Sequence, residues 1–104
     1  MSIEAIFQRG FRMKWAYALR EGGYVETAFG LRAEDRFSPL GVLYDLIDPD
    51  GWLAFNPPNY SWRGKTGGQF HQSVMDTTGL SEGQLQQFLG KNFAQALELL
   101  KKVR

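Results

Sequence analysis

Residues 15–45 read WAYALREGGYVETAFGLRAEDRFSPLGVLYD, and the order of signals in this stretch decides the fold class. Trp15, Ala18 and Leu19 close a helical pattern that Gly22-Gly23 stops, because glycine tolerates the left-handed geometry of a C-cap. Residues 24–29 follow, rich in strand formers, and Gly30 carries them through a bulge into Leu31-Arg32. Residues 33–36 form a polar connection. Ser38-Pro39 then opens a second helix, with Ser at the N-cap and Pro at the first helical position. Residues 40–47 are so apolar that this helix belongs at the buried centre. Helix, extended segment and helix in that order predict an α+β fold. The expectation is one compact domain over residues 1–104, mainly helical, with a small antiparallel sheet.

The same reading extends in both directions. Ser2 caps a helix with Glu4 in its first turn. Ile3, Phe7, Phe11, Trp15 and Leu19 recur every four residues and predict a core-facing stripe. Gly10 predicts a kink between a short helix and a main helix over 11–21. Beyond Ile47, Asp48-Pro49-Asp50-Gly51 is a type I turn. Short strands are expected over 52–55 and 60–63, around a loop at 56–59, and 64–68 read as flexible. A helix over 70–77 ends near Gly79. Ser81 opens the next with a capping box of the S-x-x-Q form, turning Leu85, Phe88 and Leu89 inward before Gly90. Phe93, Ala96, Leu97, Leu100 and Val103 mark a last amphipathic helix. Trp15, Leu43 and Leu97 are expected to share one core.

Composition excludes several functions. At 104 residues and 43% apolar content, the chain fits a single core. It has no apolar run of the roughly 18 residues a membrane-spanning helix requires. Its start, MSIEAIFQRGFRMK, lacks the apolar stretch of a secretory signal. The absence of cysteine rules out disulfides, thiolate catalysis and Cys-based zinc sites. A cytoplasmic location is expected, with no membrane contact. The net charge of +1 hides an asymmetry. Residues 1–20 hold Arg9, Arg12, Lys14 and Arg20 against Glu4, while residues 21–60 hold seven acids against Arg32 and Arg36. The rest is basic again. Such a dipolar surface can steer a partner, although paired surface charges are the plainer reading.

The pattern W-x-x-A-L-R-x-G-x-Y, then G-L-R, then L-G-V-L-x-D, rests on Trp15, Ala18, Leu19, Arg20, Tyr24, Gly30, Leu31, Arg32, Leu40, Gly41, Val42, Leu43 and Asp45. With Gly79-Leu80 and the closing helix, it resembles a family of small uncharacterised proteins common in bacterial and bacteriophage genomes. The resemblance covers most of the chain from Met13 onward and lies in packing residues. It implies a fold neighbourhood and a bacterial or phage origin, but no mechanism. Members often carry cysteines near L-G-V-L. This chain has Ser38, Pro39 and Tyr44 there, so no thiol role carries over.

No catalytic motif stands up to its own requirements. His71, Ser73 and Asp76 give H-x-S-x-x-D, but residues two apart on a helix point in different directions, so His71 reads as a surface or capping histidine. Gly64-Lys65-Thr66 lacks the preceding glycine of a phosphate-binding loop, since Asn59 stands there. Asp48-x-Asp50-Gly51 lacks the carboxylates of a calcium loop at its first and last positions. Trp52, Phe55, Tyr60, Trp62 and Phe70 read as the aromatic wall of a core, against a stacking platform for single-stranded nucleic acid. The expectation is therefore a non-enzymatic interaction domain with an unidentified protein partner and no cofactor or metal. The alternative is a nucleic-acid-binding protein with a helix-turn-helix over 74–89. In that case Gln84, Gln86 and Gln87 read bases, while Arg63, Lys65 and Lys91 hold phosphates. Glu82 and Gly83 in the second helix weigh against it.

Overall fold

The computed structural model describes residues 2–27, 30–65 and 69–103. The first helix, α1, runs unbroken over Ile3–Glu21. Ser2 caps it as expected, its Oγ accepting from the Ala5 amide at 3.1 Å. The expected kink at Gly10 is absent. A helical glycine costs about 1 kcal/mol relative to alanine but keeps its place in the hydrogen-bond ladder, so it weakens a helix without breaking it. Packing of α1 on three other helices offsets that cost.

The stripe on α1 behaves differently from the expectation. Trp15, Ala18 and Leu19 are buried and Phe11 packs on the core, but Ile3 and Phe7 stand in solvent. The reason is geometric. A helix turns once in 3.6 residues, so each step of four overshoots by about 40°, and four steps carry the row about 160° around the axis. The row that faces the core at Leu19 has therefore left it by Ile3.

The sheet contains β1 (Val25–Glu26), β2 (Arg32–Ala33), β3 (Arg36–Phe37), β4 (Trp52–Ala54) and β5 (Asn59–Trp62) in the order β1-β3-β2-β5-β4. It is mixed rather than antiparallel, because β1 pairs parallel with β3. The chain reverses between β1 and β2 and again between β2 and β3. β3 therefore runs with β1, and docking beside it makes a parallel pair. The second reversal is a two-residue turn at Glu34-Asp35, with Arg32 opposite Phe37 and Ala33 opposite Arg36. Glu34 takes a positive φ of 56° there. The expected single strand through a bulge at Gly30 is thus two short strands; residues 28 and 29 lie outside those described. Of the run expected to be flexible, Lys65 closes a tight turn back on Trp62 and residues 66–68 lie outside those described.

Ser38-Pro39 opens α2 (Pro39–Ile47) as expected. Ser38 Oγ accepts from the Gly41 amide at 3.1 Å and donates to the Leu31 carbonyl at 3.2 Å. Gly41 is required by this close approach: a Cβ there would stand 1.9 Å from the Leu31 oxygen. The remaining helices are α3 (Gln72–Thr78), α4 (Glu82–Gln86) and α5 (Phe93–Lys101). Gly79, at φ 72°, caps α3 in the left-handed conformation. Ser81 and Gln84 form the expected capping box, and Asn92 and Gln95 form another at α5. α4 is shorter than expected, so Leu85 and Phe88 are buried but Leu89 is exposed.

One core joins these elements, with Trp15 and Leu43 at its centre and Leu97 packed against it. Trp15 tilts on Phe88 and donates Nε1–H to the Pro39 carbonyl at 2.9 Å. Trp62, fully buried, stacks on Tyr44 with ring centres 4.8 Å apart. The aromatic residues divide accordingly: Trp62 is core, Trp52, Tyr60 and Phe70 are half-buried, and Phe55 is exposed. No helix among the described residues is long and apolar enough to cross a membrane.

Candidate functional site

The twist of its apolar pattern gives α1 two faces. The inner face carries Phe11, Trp15, Ala18 and Leu19. The outer face carries Ile3 (84% exposed), Ile6, Phe7 (73%), Met13 (64%) and Tyr17. Projected at about 100° per residue, these five lie within a sector of about 120°. They share one exposed side of the helix, with Gly10 and Lys14 among them. Lone exposed apolar residues are common on soluble proteins, but contiguous patches mark contact sites.

Beside this stripe, α1 and α5 enclose a groove of about 750 Å³. Met13, Ala16 and Leu97 give it an apolar floor. Arg9, Arg12, Arg20 and Lys101 also line it, opposed by one carboxylate, Glu98. Glu98 is paired with Lys101 along α5 at 3.0 Å. Arg12 is fixed, donating to the Thr78 carbonyl at 2.6 Å. Arg9 and Arg20 have no hydrogen bond or ion pair among the described residues. The groove thus combines apolar surface with uncompensated positive charge.

The residues proposed for nucleic-acid contact fall into two groups. Arg63 and Lys65 belong to the turn after β5. Arg63 pairs with Asp48 at 2.9 Å and donates to Ser73 Oγ at 2.9 Å, which fixes it at the N-terminal end of α3. Gln84, Gln86, Gln87 and Lys91 lie beyond the opposite end of α3 and are exposed. The Gln84 amide oxygen accepts from the Ser81 amide at 2.9 Å as half of the capping box. α4 spans five residues, shorter than a helix that reads a groove along its N-terminal turns. The turn chemistry of a helix-turn-helix is present, and Lys91 falls with the three glutamines while Arg63 lies at the other end of α3.

His71 is a capping residue as expected, but its contact with Ser73 departs from the expectation: Ser73 Oγ donates to His71 Nδ1 at 2.8 Å. His71 is the N-cap of α3, with extended backbone, so its ring folds back over the first turn. Helical directions do not apply to a residue outside the helix. The pair still lacks the rest of a nucleophile's machinery. Nδ1 also accepts the Ser73 amide at 3.1 Å, so a neutral ring carries its proton on Nε2. Asp76, the would-be orienting acid, instead accepts from Gln72 at 3.0 Å. The Asp48–Gly51 segment is a turn, with Asp48 Oδ1 accepting from the Asp50 amide. Among the described residues no group of three His, Cys, Asp or Glu side chains could hold a metal ion.

A polar cluster that the sequence reading missed ties α2 to the sheet. Asp45 accepts from Tyr24 Oη at 2.6 Å and from Trp52 Nε1 at 2.9 Å. Burial, then the hydrogen bond and charge of Asp45, push the Tyr24 pKa well above its ordinary value. The Arg32 guanidinium lies over Tyr60, Phe37 and Trp52, at 4.4, 5.1 and 5.5 Å from the ring centres. Tyr24, Arg32 and Asp45, one residue from each segment of the pattern, therefore meet through Phe37 and Trp52 as an assembly that holds the fold. Comparison of the chain with protein-family models, curated proteins and solved structures gives no match.

Proposed function

We propose that this protein is a small, cytoplasmic, non-enzymatic interaction domain that engages a protein partner through the outer side of α1. The observation that carries this reading is the exposed stripe of Ile3, Ile6, Phe7, Met13 and Tyr17 on a helix whose other face anchors the core. Leaving five large side chains in water forgoes about 1.5–3 kcal/mol for each that a partner could fully cover. The helix does not need them for folding, since its core contacts come from a different face. The polar clusters support the same reading: Asp45, Arg32 and Arg63 are each engaged in holding elements together.

The test is co-purification of the tagged full chain from its native host, in parallel with the Ile3→Asp/Phe7→Asp variant. A partner recovered with the wild type and lost with the variant, at an unchanged urea midpoint, supports the proposal. Identical recovery with both proteins refutes it.

A further inference from the structure

We infer that the groove between α1 and α5 takes an acidic amphipathic helix of a partner protein. This inference rests on the interaction-domain reading and names the chemistry of the partner. The shape comes first. Two packed helices leave a concave channel whose α1 wall, from Arg9 to Arg20, runs about 16 Å, or three helical turns. An amphipathic helix laid in an apolar groove presents anchors at i, i+3, i+4 and i+7, and Met13, Ala16 and Leu97 offer the matching floor.

Charge selects among helices. Arg9, Arg20 and the anchored Arg12 line the channel, and Glu98 is already satisfied by Lys101. Acidic side chains flanking the partner's apolar stripe would meet Arg9 and Arg20, which have no hydrogen bond or ion pair among the described residues. A second copy of this chain fits poorly. Its own α1 would bring Arg9 and Arg20 against their equivalents, and its most apolar helix, α2, is already buried. An anionic membrane surface is broad and flat, whereas these bases line a concavity.

The experiment uses the full chain and three labelled 16-residue probes in fluorescence anisotropy. One probe is a helix-forming peptide with Leu at i, i+3, i+4 and i+7 and Glu elsewhere. The second replaces Glu by Lys, and the third scrambles the first. The Glu peptide should bind in the micromolar range, at least about tenfold tighter than the other two, and weaken several-fold as salt rises from about 0.05 to 0.5 M. Arg9→Glu/Arg20→Glu should weaken it at least about tenfold, while Arg36→Glu, on an exposed strand position, should leave it unchanged. Met13→Glu should weaken it as well. The inference is overturned if the Lys or scrambled peptide binds equally, or if the arginine variant binds as the wild type does. It is likewise overturned if the chain instead binds phosphatidylserine vesicles or random duplex DNA, or sediments as a dimer with the groove blocked. A host partner lost with Ile3→Asp/Phe7→Asp but retained with Arg9→Glu/Arg20→Glu would overturn this inference alone and leave the interaction-domain reading standing.

Discussion

Phe7 and Leu19 belong to one four-residue series, yet the structure assigns them opposite energetic roles. Phe7 is 73% exposed and Leu19 is 5% exposed. Truncating Leu19 removes three buried carbons and leaves a cavity, which costs roughly 2–5 kcal/mol. Truncating Phe7 removes a ring already in water, and exposed sites change stability by only about 0.5 kcal/mol. Alanine is also the better helix former by a few tenths of a kcal/mol, so Phe7→Ala should be neutral or slightly stabilising. Urea unfolding followed by tryptophan fluorescence reads both, because Trp15 and Trp62 are fully buried and report loss of the core. The measurement belongs at low protein concentration, where self-association cannot stabilise the wild type. A loss above about 1.5 kcal/mol for Phe7→Ala, or below about 1 kcal/mol for Leu19→Ala, would refute the assignment of the two faces.

Tyr44→Phe should be neutral or stabilise the fold by about 1–2 kcal/mol, because the buried Tyr44 hydroxyl has no hydrogen-bond partner among the described residues and its ring stacking on Trp62 is kept. A loss above about 1 kcal/mol in the same urea assay would show a partner for that hydroxyl. Stability should fall as pH rises past 10, the ordinary tyrosine value, because burial raises the pKa of both Tyr24 and Tyr44. The unfolded chain then loses its phenolic protons first and is favoured as pH climbs. The fall should be shallower in Tyr44→Phe, and a flat profile between about pH 9 and 11 would contradict both shifts. Asp45→Asn should cost about 1–3 kcal/mol, since one amide oxygen replaces two carboxylate oxygens that accept from Tyr24 and Trp52. Equal urea midpoints for this variant and the wild type would remove the cluster from the fold's support. Gly41→Ala should cost at least about 1–3 kcal/mol through collision with the Leu31 carbonyl, and retention of the wild-type midpoint would show that α2 can slide away from β2.

Signals confined to a few neighbouring residues were legible in the sequence. Ser2, Ser38 and Ser81 cap helices because a hydroxyl reaches an amide three residues on, and the chain spells that spacing directly. Asp48-Pro49-Asp50-Gly51 turns for equally local reasons. Features that join distant segments were not legible. Nothing in residues 24–37 says whether β2 or β3 docks beside β1, and that choice decides a parallel or antiparallel pair. The turn at Glu34 carries neither the glycine nor the asparagine that usually announces a positive φ. Asp45, Trp52 and Tyr24 come from three elements, and no spacing rule brings them together. His71 caps α3 as expected, and only its contact with Ser73 was not legible, because a residue just outside a helix does not obey the helix's directions.

The face of α1 was legible in principle and missed by one approximation. A repeat of four looks like a helix stripe, but the true period is 3.6, and the difference accumulates along the 19 residues of α1. Over one or two turns the error is harmless, and Phe11, Trp15 and Leu19 do share the core side. Over the whole helix it moves Ile3 and Phe7 to solvent, where they join Ile6, Met13 and Tyr17. A sequence under pressure only to fold would place polar residues at those positions, since the inner face already meets the core. The inner face of α1 is covered by the rest of the domain, and the outer one stands open to solvent. Arg9 and Arg20 stand at the border of the outer face, without partners among the described residues, where the exposed side of α1 passes into the groove with α5. Apolar area and unpaired charge therefore lie side by side on the same helix, and a partner covering one would meet the other.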